Sequence, residues 1–216
     1  MRTVVLATGN RHKLAELDEM LAEAGVDLEA ATPREFGDPP EVIEDGTTFA
    51  ANAEKKARAL AAWLRARGCR GDTLVLADDS GLCVDALGGG PGVTSARFAG
   101  EPSDDAANNL KLVQELRAND RTASSAHYAC VLALMRVDGE AIDGTRDVVH
   151  FEGRWDVEVR VEARGHGGFG YDPHAWIDGG ARTVAELGQA SKATRSHRGE
   201  ALRALVRWWK QRQGMP

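Results

Sequence analysis

Three cysteines in 216 residues, at positions 69, 83 and 130, are too few and too scattered for a disulfide framework. No two have the spacing of zinc ligands, so they read as reduced thiols of a cytoplasmic protein. The six histidines show no metal-binding pattern either. Any metal is therefore expected to be a hard ion held by carboxylates. No apolar run nears the roughly 20 residues that span a bilayer; the longest, residues 129–135, is far shorter. The N-terminus has one arginine and too brief an apolar run for a signal peptide. Positive charge is not in excess. With 27 Lys and Arg against 33 Asp and Glu, the formal charge is −6, which excludes a general nucleic-acid surface and leaves room for a local polyanion site. There is no repeat, low-complexity tract or linker.

What is present is enough for a globular core: 43% of the residues are apolar. Residues 4–7 read as a short buried strand and 11–24 as a helix, with Leu14, Leu17 and Leu21 at helical spacing. A second strand is expected at 26–31 and a Pro-containing acidic loop at 32–45. A strong helix follows at 47–67, with Phe49, Ala53, Leu60 and Leu64 on one face. Residues 73–77 read as a buried strand leading into a glycine-rich excursion. A helix at 104–118 precedes strands at 124–137, 141–152 and 156–162. A helical turn at 183–187 and a last helix at 196–213 complete the chain. Strands and helices alternate early and strands cluster late, which predicts α/β with a mixed sheet.

Within "TGNRHK", residues 8–13, Gly9 and Asn10 are placed to form a turn and an N-cap, which puts Lys13 in the first helical turn. Helix starts favour Asp or Glu. A lysine there makes sense where an anion, above all phosphate, meets the free N–H groups; a solvated lysine on a capped helix is the ordinary alternative. "SKATRSHRGEAL" repeats the pattern: Lys192, Arg195, His197 and Arg198 are expected around the start of the last helix, with Ser196 as cap. Two such clusters in an acidic chain point to one polyanion.

"LVLADDSG" ends a strand with Asp78 and Asp79, whose side chains alternate in direction, so only one faces a given site. A turn-forming aspartate is the ordinary reading of the pair. "EVIEDG" offers Glu41, Glu44 and Asp45 before the long helix, where acids suit the dipole. With a phosphate chain, a Glu and an Asp make a magnesium site. Asn52 and Lys56, four apart, share a helix face. "GGFGYDP" combines a flexible loop with an aromatic ring, Phe169, able to stack on a base, and a carboxylate, Asp172, able to accept hydrogen bonds.

Five motifs in order, "TGNRHK", "EDGTTFAANAEKKA", "LADDSGLCVDALGGGPGVTSARFAG", "GGFGYDP" and "SKATRSHRGEAL", make the chain resemble the Ham1-like, or inosine triphosphatase, family of nucleoside-triphosphate pyrophosphatases. The resemblance implies one domain over residues 1–216, an elongated mixed sheet flanked by helices, and two lobes with the active-site cleft between them. It implies a cytoplasmic homodimer that needs magnesium (Mg2+). Its substrates would be the non-standard purine nucleotides ITP, dITP and XTP, cleaved to monophosphate and pyrophosphate, rather than nucleic acid or a membrane. It puts Thr8, Gly9, Asn10, Arg11, His12, Lys13 and Lys56 at phosphate- or substrate-binding positions. Glu44 and Asp79 fall on the metal-linked positions, with Asp79 as general base. Ser80, Phe169, Gly170, Tyr171, Asp172, Lys192, His197 and Arg198 fall on the remaining substrate-binding positions. The alternatives are a Maf-like pyrophosphatase of other base preference and a nucleotide-binding module without catalysis.

Overall fold

The computed structural model describes residues 2–8, 11–71 and 73–214, with residues 11, 12, 16, 189, 190 and 193 described by backbone alone. The expected mixed α/β architecture is present: a seven-stranded sheet with helices. The strands are β1 (Arg2–Leu6), β2 (Leu28–Ala31), β3 (Leu74–Val84), β4 (Ala123–Arg136), β5 (Val148–Arg160), β6 (Ala175–Ile177) and β7 (Arg182–Thr183). Their order is β2-β1-β3-β4-β5-β6-β7. β1 runs parallel to both β2 and β3, with Val5 opposite Ala31 on one side and Val75 on the other. β6 is antiparallel to β5 and to β7. The helices are α1 (Arg11–Ala24), α2 (Phe49–Ala66), α3 (Asp105–Ala118), α4 (Gln189–Arg195) and α5 (His197–Gln213).

The chain divides into two compact units. The first comprises Met1–Asp79, Val131–Gly153 and Gly199–Pro216; the second comprises Ser80–Cys130 and Arg154–Arg198. In the first, α2 starts at a Thr48 cap whose side chain accepts from Ala51 N at 3.1 Å. Its alanines 53, 57 and 61 recur every four residues and let the helix approach Val5, Val75 and Ala77 closely. Leu60 and Leu64 fill the remaining space; full burial of such a side chain contributes about 1.5–3 kcal/mol. In the second unit, Leu112 and Leu116 of α3 pack with Leu82, Val84, Trp155, Val157 and Val159. Asp104 caps α3, accepting from Ala107 N at 3.0 Å.

Several elements depart from the sequence expectation. β3 does not stop at Ala77 but continues through Asp78-Asp79-Ser80-Gly81 to Val84. It is covered on both faces, so it lacks the alternation that marks a strand. Its polar stretch stays extended because both carboxylates find partners within the first unit. The strands expected at 141–152 and 156–162 are one strand, β5, which starts only at Val148. Phe151, Gly153, Trp155, Val157 and Val159 are buried in strict alternation with charged residues, so the period of two passes unbroken through Gly153. Residues 143–146 form a tight turn instead, with Asp143 Oδ1 accepting from the N–H groups of Thr145 and Arg146. The short strands β6 and β7 and the helix α4 were not expected from the sequence.

Cys69, Cys83 and Cys130 form no disulfide. Among the described residues no helix is long and apolar enough to cross a membrane.

Candidate active site

The first group of site residues belongs to the first unit. Just past β1, Thr8 N donates to Leu6 O at 2.7 Å and Ala7 N donates to Leu76 O at 2.7 Å, tying the chain to the end of the parallel pair. Gly9 and Asn10, the expected turn and cap, lie outside the described residues, as do the side chains of Arg11 and His12. Lys13 stands in the first turn of α1, which has no acid there. Its partner comes from β3: the ammonium lies 2.8 Å from each oxygen of Asp78. The lysine is partly exposed, and a buried carboxylate holds it.

Asp79, the next residue, takes different partners. Its Oδ1 lies 3.1 Å from Lys56 Nζ and its Oδ2 accepts from Asn52 Nδ2 at 3.1 Å, so α2 supplies both. Lys56 also lies 3.1 Å from Glu44 Oε2. Glu44 and Asp79 therefore share one ammonium. Asn52 uses its other end to accept from Gly46 N at 2.7 Å. A cavity of about 230 Å3 opens beside Thr8, Glu44 and Lys56, with Pro33, Arg34 and Pro40 also in its lining. Burial raises the pKa of Asp79; the Lys56 charge and the hydrogen bonds from Asn52 and Lys56 only partly offset it. Burial works against the charge of Lys56 too, but the carboxylates of Asp79, Glu44 and Asp78 outweigh it and its pKa is raised. The ammonium is held charged beside a carboxylate that protonates more readily than usual.

The second group belongs to the second unit. Asp172 is buried and accepts from Phe169 N at 2.9 Å, from Tyr128 Oη at 3.3 Å, and from the Lys192 ammonium. Gly168 lies in the left-handed region at φ +75°, and a Cβ there would meet Asp172 Oδ2 at 2.0 Å, so both conformation and space require glycine. The Phe169 ring is 59% exposed, and the Lys192 ammonium sits 3.9 Å from its centroid. Gly170 is tied to α3 at both ends: its N donates to Asp105 Oδ2 at 2.7 Å and its carbonyl accepts from Asn109 at 2.9 Å. Tyr171 is core rather than surface; its hydroxyl donates to Ser95 O at 2.7 Å, and burial pushes its pKa well up. His197 stacks on Tyr128, centroids 5.1 Å apart and planes 12° apart. Arg198 Nη2 lies 3.4 Å from Ser80 Oγ.

The basic cluster near the C-terminus is built differently from the sequence expectation. Lys192 and Arg195 occupy the last turn of α4, where the helix dipole favours cations. Ser196 closes α4, its N donating to Lys192 O at 2.9 Å, and stands extended immediately before α5, at the cap position expected of it; of the four basic residues only His197 and Arg198 open α5. The sequence reading could not see this because Gly188 carries no capping side chain to mark the start of α4.

The family model for the Ham1 family matches residues 4–208. The chain belongs to the Ham1 family. It is 48% identical over 205 residues to the dITP/XTP pyrophosphatase of Chromobacterium violaceum, covering 94% of each chain. It is 46% identical over 210 residues to the protein of the same name from Ralstonia nicotianae, covering 95% of this chain and 96% of that one. Among solved structures, a HAM1 protein from Coxiella burnetii superimposes with a TM-score of 0.84 at 38% identity, covering 98% of this chain and all (100%) of that one. The Staphylococcus aureus Ham1 protein gives a TM-score of 0.81 at 31% identity, covering 98% and 100%.

In this Ham1 chain, Asn52, Asp78 and Tyr128 join the site residues without having been assigned to it from the sequence. Asn52 carried a signal: a polar residue on the same helix face as Ala53 and Leu60 must find buried partners. Tyr128 carried none, since an aromatic residue in a strand needs no explanation. Among the described residues, no three His, Cys, Asp or Glu side chains gather as a metal cage. Glu44 and Asp79 converge on one ammonium, that of Lys56, beside the cavity.

Proposed function

We propose that this chain is a pyrophosphohydrolase of non-standard purine nucleoside triphosphates, dITP, XTP and ITP. It converts each to its monophosphate and pyrophosphate. The observation that carries the reading is the buried Asp79 carboxylate, which shares the Lys56 ammonium with Glu44. Family membership, and full-length relatives called dITP/XTP pyrophosphatase, support it.

In the proposed mechanism Lys13 and Lys56 hold the phosphates, with Thr8 and the start of α1 beside them; Gly9, Asn10, Arg11 and His12 keep the roles the motif implies. Asp79 accepts a proton from a water whose oxygen attacks the α-phosphorus. The bond from that phosphorus to the bridging oxygen breaks, and pyrophosphate leaves with the electron pair. The raised pKa of Asp79 suits a base, since proton transfer is most effective when the pKa is nearer the working pH. Fixed cations around a phosphoryl group do much of the remaining work.

Two hard oxygen donors, Glu44 and Asp79, without thiolate or imidazole, fit magnesium, which takes one or two carboxylates and completes its shell with phosphates and water. When bound, the ion supplies charge neutralisation on the phosphate oxygens.

The base is assigned to the second group. Phe169 stacks on it, and Lys192, His197 and Arg198 supply donors to the 6-carbonyl of the purine. Asp172 fixes Lys192 and the Phe169 loop, Gly170 and Tyr171 shape that loop, and Ser80 meets Arg198. The reading extends to a cytoplasmic homodimer acting on a small-molecule nucleotide.

Incubation with magnesium and a panel of nucleoside triphosphates, measuring pyrophosphate and orthophosphate separately, tests the reading. Pyrophosphate from dITP and XTP is expected. Orthophosphate without pyrophosphate overturns the cleavage site, and no release of either overturns the enzyme.

A further inference from the structure

We propose that Asn52 is a positioning residue: the two ends of its amide clamp Gly46 and Asp79, and so set where Glu44 stands relative to the Asp79 carboxylate. The inference rests on the pyrophosphohydrolase reading above.

Asn52 is fully buried, at 0% exposure, on the face of α2 that carries Ala53, Ala57 and Leu60. An alanine there would serve the helix better, and a buried amide left without partners would destabilise the fold. The amide is instead satisfied at both ends. Oδ1 accepts from Gly46 N at 2.7 Å and Nδ2 donates to Asp79 Oδ2 at 3.1 Å. Chemistry fixes this orientation: a backbone N–H can only donate and an ionised carboxylate can only accept. Lys56 takes the other Asp79 oxygen, so the two residues of α2 divide the carboxylate between them.

Gly46 lies two residues after Glu44, in a segment without helix or strand. The position of Glu44 therefore depends on side-chain ties. One of them, Lys55 to Asp45, is exposed and worth little. The Asn52 tie is part-buried, its amide fully so. It also accounts for the glycine, whose φ is not in the left-handed region. A Cβ on Gly46 would lie 2.6 Å from Asn52 Oδ1, 3.1 Å from Ala51 Cβ and 3.2 Å from Asn52 Cγ. Residue 46 is a glycine because the amide occupies the space beside it.

The test compares wild type with Asn52→Asp, Asn52→Ala, Gly46→Ala and the Gly46→Ala/Asn52→Ala double variant. It measures kcat and KM for pyrophosphate release from dITP, with thermal unfolding alongside. Asn52→Asp keeps the volume and the acceptor for Gly46 but turns a second carboxylate toward Asp79. Its kcat is expected to fall about 10²-fold, the scale of a displaced catalytic group, with KM moving far less. Gly46→Ala alone should lower kcat similarly. In the Asn52→Ala background it should cost no more than about twofold, because the oxygen it collides with is gone. Wild-type kcat in Asn52→Asp, or losses for Gly46→Ala and Asn52→Ala that multiply, would overturn the clamp. So would a kcat that simply tracks the unfolding temperature across the set. If Asn52→Ala does not fold, Asn52→Asp against Gly46→Ala still decides. Wild type releasing no pyrophosphate would overturn the enzymatic reading and the clamp's purpose with it. An active wild type with an unimpaired Asn52→Asp removes the clamp alone.

Discussion

Lys13 places its ammonium 2.8 Å from each oxygen of the Asp78 carboxylate, and the two side chains are unequally buried, 24% exposed for Lys13 and 3% for Asp78. Removing the lysine leaves the more deeply buried charge behind. Lys13→Ala should therefore destabilise the protein more than Asp78→Asn does, by up to about 3 kcal/mol, the low end for a buried pair because the lysine is partly solvated. Lys13→Ala should also raise KM and lower kcat for triphosphates, since phosphate position and transition-state charge are coupled. Urea midpoints and steady-state kinetics check both halves. Equal midpoints would refute the asymmetry.

Lys56→Met removes the cation that Glu44 and Asp79 share. Two carboxylates then face each other, an arrangement that a divalent ion relieves. The variant without nucleotide should bind Mn2+ more tightly than wild type, read from the paramagnetic resonance of the free ion. Its turnover should still drop by about 10²-fold or more, because a fixed phosphate-binding charge is lost. Identical Mn2+ affinities would mean that the ammonium and the metal do not compete for one place.

Asp79→Asn separates function from stability. Burial lifts the folded pKa of Asp79 above its unfolded value, so between the two values the native state binds more protons than the unfolded state. Stability contributed by this group falls as pH rises through that window, and at neutral pH the ionised carboxylate is a net cost. The variant's urea midpoint at pH 7 should lie at or above that of wild type, while turnover falls by about 10²–10⁴ and nucleotide binding persists. Near-normal turnover would move the base elsewhere, Asp78 first.

Arg198→Ala should shrink the ratio of kcat/KM for ITP over ATP, mainly by slowing ITP. Arginine and lysine have only donors to offer, which suits the 6-carbonyl of inosine and mismatches the 6-amino group of adenosine. A site built to pair one polar group can reject the mismatched analogue by about 10⁴ or more. Equal slowing of both substrates would place Arg198 in general binding instead.

Phe169→Ala should raise KM for dITP with little change in kcat, as expected for binding shared by ground and transition states. The ring is 59% exposed, so the unfolding temperature should hold. A large fall in stability would show that the ring serves the fold and not a ligand.

Helices α1 and α2 were legible in the sequence because each buries one regular face, and a period near 3.6 survives without knowledge of what lies beneath it. Asp79, Lys56 and Asp172 were proposed as site residues only through the ordered motifs and the family they resemble; taken singly, each also fits a turn, a solvated lysine or a tight loop. Partners were not legible. Nothing local to "TGNRHK" says that Lys13 meets Asp78, 65 positions away, because β3 must first lie beside β1. The same holds for Asn52 with Asp79 and for Tyr128 with Asp172. The run "DDSG" reads locally as a turn; it became strand because tertiary partners stabilised its carboxylates in the extended form. Composition and periodicity are local quantities, and they determined the fold class; the site residues were named from the ordered motifs and the family resemblance they carry. Which charge neutralises which, and why residue 46 has no side chain, are questions of burial and distance between segments remote in sequence, and only the packed structure decided them.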